Sequence, residues 1–103
     1  MFKLIILLKK KPSLTDEEFA KYWVDTHAPL ANKMPGLRKY VVNVVRRPPN
    51  REPEYNGVVE LWFDDVDSMK KAFASPEGKA TQKDTDAFAA GLTTMYIDEH
   101  MIT

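Results

Sequence analysis

Apolar and polar residues recur along this chain with two different periods, and the changes of period mark out its elements. Phe2 to Lys9 is a short apolar run closed by Lys10-Lys11-Pro12-Ser13, the pattern of a buried strand. Thr15 then opens a capping box with Glu18, and Asp16, Glu17 and Glu18 favour the positive end of a helix. Phe19, Trp23, His27 and Leu30 follow at spacings of four, four and three, so they share one helical face. Pro29 lacks an amide hydrogen, which predicts a break or kink there, with a further short turn from Leu30 to Met34 ended by Pro35-Gly36.

Leu37 to Arg47 is rich in β-branched residues and reads as a strand. Arg47 to Asn56 is polar and proline-rich, which predicts a long mobile loop. Gly57 to Phe63 alternates cleanly: Val59, Leu61 and Phe63 on one face, Val58, Glu60 and Trp62 on the other. Val66, Met69 and Phe73 predict a second helix, and Ser75-Pro76 restarts it as N-cap and first helical residue. This segment is expected to turn Ala80, Ala87 and Phe88 inward and to stop near Gly91. Leu92 to Ile102 reads as a last strand, Thr94, Tyr96, Asp98 and His100 alternating with Met95, Ile97, Glu99 and Met101.

The order β-α-β-β-α-β predicts an α+β, ferredoxin-like fold: a four-stranded antiparallel sheet with both helices on one face, in a single domain spanning residues 1–103. The uniformly apolar set Val59, Leu61 and Phe63 belongs under the helices. Trp62 and Val58, with Val41 and Val45, would then face water in a monomer. That is a larger apolar patch than a soluble monomer usually shows, so a homodimer packed through this face is expected. Asn43, Glu60, Trp62 and, if the register allows, His100 would lie in its seam.

Charge narrows the possibilities. Fifteen basic residues balance fifteen acidic ones. Lys9-Lys10-Lys11 and Arg46-Arg47 with Arg51 flank turns without interleaved aromatics, so they read as solvated loop charge and not as a nucleic-acid footprint. The absence of cysteine removes disulfides, thiol nucleophiles and thiolate metal sites. Leu4 to Leu8 is too short to span a bilayer, and its lysines follow the apolar run where a secretion signal would carry them first. A cytoplasmic protein is the expectation.

With two histidines in the chain, His27 stands out as an ionisable ring on an apolar stripe. It has two readings. Its ring could bond to a backbone carbonyl freed near Pro29. Equally, it could serve as general acid or base, or as an orienting donor, because imidazole titrates near neutral pH. Tyr40 has the parity that points it toward the helices, where Phe19, Trp23, Leu61 and Phe63 would form the apolar wall of a substrate pocket. No histidine or carboxylate pairing has metal-ligand spacing, no serine sits in a nucleophile elbow, and the four glycines form no phosphate cradle. No cofactor is implied.

These residues resemble the EthD family of the dimeric α+β barrel superfamily. The resemblance runs through six segments in order: the opening strand with Lys10-Lys11-Pro12; Phe19…Tyr22-Trp23…His27-Ala28-Pro29-Leu30; Pro35-Gly36-Leu37-Arg38…Tyr40…Asn43; Tyr55-Asn56-Gly57…Glu60-Leu61-Trp62-Phe63; Phe73-Ala74-Ser75-Pro76-Glu77-Gly78; and Asp98-Glu99-His100. Family sequences often carry Asp at the place of Asn56, a difference expected to affect only the turn. The resemblance implies a dimer whose two sheets make one barrel, with His27, Tyr40 and Trp23 as pocket residues. Related barrels include cofactor-free isomerases, dehydratases, cyclases and monooxygenases and, more distantly, haem enzymes. The expectation is a cofactor-independent enzyme that moves a proton on a small cyclic or aromatic molecule, with His27 and Tyr40 catalytic. A non-catalytic binding protein of a degradation pathway is the alternative, and an oxygen-using or haem relative a further one.

Overall fold

The computed structural model describes all 103 residues. Strand β1 (Phe2–Lys10) leads through the capped helix α1 (Asp16–Tyr22) into a π-helical turn (Trp23–His27) and a short helix α2 (Ala28–Ala31). Strands β2 (Lys39–Val44) and β3 (Gly57–Phe63) follow, then helices α3 (Val66–Ala74) and α4 (Pro76–Thr85) and strand β4 (Ala89–Ile97). The strands order as β2-β3-β1-β4, all neighbours antiparallel, which is the ferredoxin-like arrangement read from the sequence.

Both predicted helix starts are present. Thr15 and Glu18 close the capping box, and the Ser75 hydroxyl accepts from the Gly78 amide with Pro76 at the first helical position. The N-terminal helix differs from expectation at Pro29: it does not break. It widens one turn earlier, where the Ala28 amide reaches back five residues to the Trp23 carbonyl, and then continues through Pro29. In a regular α-helix each step of four residues overshoots a full turn by about 40°. A single wider turn takes up that drift, and the rings of Phe19, Trp23 and His27 all pack on Phe88.

The C-terminal half is shifted. Helix α4 stops at Thr85, and β4 runs from Ala89 to Ile97, not from Leu92 to Ile102. The partner strand explains both limits. Lys10 pairs with Ala89 and Lys3 with Ile97, and only Phe2 of β1 lies beyond them. Gly91 is therefore a strand residue opposite Lys9, and His100 lies outside the sheet, exposed. Ala80 on α4 and Ala87 in the turn after it face solvent; Gly78 and Thr81 are the buried residues of α4, and Phe88 just beyond it is fully buried. Strand β2 is also shorter than the predicted 37–47.

The register sets the two faces. Leu4, Ile6 and Leu8 of β1, Val59 and Leu61 of β3, Tyr40 of β2, and Leu92, Thr94 and Tyr96 of β4 share the helix side. Phe19, Trp23 and Phe88 pack beneath the helices with ring centroids 5.5–6.3 Å apart. Gly57 is required there: a Cβ on it would collide with the six-membered ring of Trp23.

The opposite face carries Lys3, Ile5 and Leu7 with Val58, Glu60 and Trp62. Trp62 is only 8% exposed, contrary to the expectation that it faces water. Its own chain covers it. The ammonium groups of Lys3 and Lys39 each lie 4.7 Å from its ring, and its indole N–H donates to Glu99 at 3.2 Å. Lys3 in turn pairs with Glu60 at 2.6 Å and Glu99 at 3.0 Å, and the Asn43 amide donates to Glu60. The polar position expected of His100 is thus filled by Glu99, which lies past the end of β4 and is held on this side by Lys3 and Trp62.

The loop between β2 and β3 is tied at both ends. Arg47 makes a two-pronged contact with Asp16 at 2.9 and 3.0 Å, and the Asn56 side chain accepts from the Lys10 amide at 2.8 Å. Asp at this position would keep that acceptor. No helix is long and apolar enough to cross a membrane.

Candidate active site

His27 closes the π turn and is 6% exposed, its ring 4.7 Å from that of Phe88. It is not bonded to a backbone carbonyl. Its Nδ1 lies 2.8 Å from one carboxylate oxygen of Asp84 in α4. The other oxygen accepts from the Tyr22 hydroxyl at 2.7 Å. A carboxylate can only accept here, so the proton of the neutral ring sits on Nδ1 and Nε2 carries the lone pair. No protein group bonds to Nε2. The carboxylate beside it also pushes the Tyr22 phenol above its ordinary pKa, which keeps that hydroxyl a donor.

His27 borders a cavity of about 570 Å³ that runs between the sheet and the helices, with Leu4, Ile6, Val59 and Leu61 as floor and Met34, Met69 and Phe73 among the roof. That volume suits a small-molecule ligand. Lys70, Gln82, Leu92, Thr94 and Tyr96 are its exposed lining residues and mark the mouth.

Tyr40 borders the same cavity from β2. Burial pushes its phenol up to about 12, so it remains protonated through the physiological range. The Trp23 indole N–H offsets part of that rise, and that N–H is buried without a hydrogen-bond partner. Thr81 and Thr85 spend their hydroxyl protons on α4 carbonyls. The side chains free to meet a ligand inside are therefore His27 Nε2 and the Tyr40 hydroxyl.

Of the residues expected at the site, His27, Tyr40 and Leu61 border the cavity together. Phe19, Trp23 and Phe63 do not. They are 1%, 0% and 0% exposed and sit behind it, Phe63 screened by Phe73 and the other two packed on Phe88. Large rings aimed straight at a sheet fill core, and the cavity opens beside them. Asp84 and Tyr22 were missed. Asp84 stands three residues after Thr81 and four before Phe88, so the inward stripe of α4 was present in the sequence. Placing that stripe on Ala80 and Ala87 hid it. No three His, Asp or Glu side chains converge to hold a metal ion.

Residues 11–91 match the family model of the EthD domain. The chain belongs to the EthD family. This EthD chain is 37% identical to an ethyl tert-butyl ether D (EthD) family protein of Bacillus halodurans, covering 97% of this chain and 99% of that one with a TM-score of 0.82. It is 26% identical over 85 residues to an uncharacterized 11.0 kDa protein from the thcB-thcC intergenic region of Rhodococcus erythropolis, covering 82% of each. A dimeric protein of unknown function with a ferredoxin-like fold from Bacteroides fragilis shares the fold, with a TM-score of 0.72, 21% identity and 95% of each chain covered.

Proposed function

We propose that this EthD protein is a cofactor-independent enzyme that moves a proton on a small cyclic or aromatic molecule, in an isomerisation, dehydration or lyase step. The observation that carries this reading is the state of His27: Nδ1 is fixed by Asp84 at 2.8 Å while the ring borders an apolar cavity and Nε2 has no protein partner. Buried side-chain nitrogens are as a rule hydrogen-bonded, and the free Nε2 faces the cavity instead.

In this reading Nε2 removes a proton from a carbon next to a carbonyl of the bound ring, and the C–H electron pair moves into an enolate. The Tyr40 hydroxyl donates to the developing oxygen anion. The imidazolium, held by Asp84, returns the proton at a second carbon to complete an isomerisation, or gives it to a departing oxygen in an elimination. Apolar walls exclude water and orient the ring. Two copies packing through the face of Trp62, Glu60 and Asn43 would leave each cavity on the outer, helix side of its sheet.

The test is solvent deuterium wash-in with a panel of cyclic enones, butenolides and phenolic ketones, read by mass spectrometry. Wild type should exchange at least one member. His27→Ala should slow exchange about 10²- to 10⁴-fold, and Tyr40→Phe about 10²-fold. Binding of panel members with no exchange beyond solvent would point instead to a carrier using the same cavity.

A further inference from the structure

We propose that the ligand carries an anionic group, and that Lys70 receives it at the mouth of the cavity while the ring lies inward against His27 and Tyr40. This rests on the reading of the cavity as a ligand site. No aspartate or glutamate borders the cavity, whereas His27 and Lys70 do. The charge His27 can acquire is already matched by Asp84. Lys70 is different: it belongs to none of the ion pairs of the chain.

Lys70 follows buried Met69 on α3, borders the cavity and is itself exposed, the placement that lets a lysine lay its methylene stem on apolar surface and keep its ammonium in water. The neighbouring Gln82 holds its place by donating to the carbonyls of Phe73 and Gly78 at 3.0 and 3.1 Å, which uses both its amide protons. Lys70 is therefore the free cationic donor of the mouth. The floor and roof of the cavity are apolar, so an ionised group loses less hydration at Lys70 beside solvent than in the depth, where His27 and Tyr40 are taken up by the reacting ring. A ring acid consequently enters with one polarity: anion outward at Lys70, reacting ring inward. A carboxylate or sulfonate on a one- or two-ring skeleton is the ligand class that satisfies both ends.

Isothermal titration of wild type, Lys70→Met and Lys70→Glu with 2-naphthoate and its neutral counterpart 2-naphthamide tests this. Wild type should bind the acid about three- to fivefold tighter than the amide at low salt, the size expected for an exposed charge pair. That preference should shrink at about 0.5 M salt. Lys70→Met should bring the ratio of acid to amide affinity to one, and Lys70→Glu should invert it. Equal binding of both probes by wild type, or an unchanged ratio in Lys70→Met, overturns the role of Lys70 and leaves the cavity reading standing. Failure of wild type to bind either probe at millimolar concentration overturns the cavity reading and this proposal with it.

Discussion

Asp84 and His27 are 57 residues apart in sequence, yet the Asp84 carboxylate meets His27 Nδ1 at 2.8 Å. The same carboxylate accepts from Tyr22 at 2.7 Å, so one side chain of α4 fixes two groups of the N-terminal helical segment. Replacing it leaves a buried imidazole N–H and a phenol without an acceptor. Asp84→Leu is expected to cost about 2–4 kcal/mol of stability by that route, measured by urea unfolding. Tyr22→Phe removes one donor and leaves no orphan nitrogen, so it should cost about 1 kcal/mol.

Tyr40 sets an alkaline limit. Its phenol titrates near 12 when folded against an ordinary value of 10.0. Between these values the unfolded chain has lost the proton that the native one keeps, so stability falls as pH rises. The contribution is complete below pH 10 and gone above about 12. Because the ring is partly accessible, about 1–2 kcal/mol is the expected size. Thermal unfolding from pH 8 to 12 should show this fall, and Tyr40→Phe should flatten it.

Gly57 and Gly78 allow no side chain. A Cβ at Gly57 meets the buried Trp23 ring, and one at Gly78 meets the backbone of Ala72 and Phe73 at the joint of α3 and α4. Gly57→Ala should cost about 1–3 kcal/mol as the indole is displaced. Gly78→Ala should cost more, because backbone yields less readily than a ring. Denaturant midpoints compare the two directly.

Acid should weaken the fold at this face. Lys3 holds the carboxyls of both Glu60 and Glu99 below the ordinary range, with help from Asn43 and Trp62 respectively. A lowered carboxyl pKa stabilises above the ordinary value of 4.5, and that contribution is lost as pH falls from there through the lowered folded value. Urea unfolding from about pH 7 to about pH 3 should show this loss, and Lys3→Met should reduce it. Light scattering at micromolar concentration should give a dimer at neutral pH, and a monomer would contradict the proposed dimer.

The sheet and its covered face could be read from parity alone, because Val59, Leu61 and Phe63 alternate without interruption and the capped helix starts are local signals. What could not be read was set by partners distant in sequence. The limits of β4 follow from the length of β1. The shielding of Trp62 needs Lys3, Lys39 and Glu99 from three separate segments. At the site, His27, Tyr40 and Leu61 were legible as inward-facing residues. Phe19, Trp23 and Phe63 face inward too, and no pattern of one chain tells a core ring from a cavity wall. Asp84 lay hidden because the stripe of α4 is mostly polar and carries threonine where the helix turns inward.

Nitrogen NMR of the protein labelled in its histidines, recorded above the ordinary imidazole titration range, tests the arrangement of His27 most directly. With Asp84 holding Nδ1–H, the His27 resonances should show a protonated Nδ1 and an unprotonated, pyridine-like Nε2. Addition of a cavity ligand should move the Nε2 signal, and Asp84→Leu should erase the tautomer preference. A proton on Nε2 in the wild-type protein, with Nδ1 bare, would contradict the account.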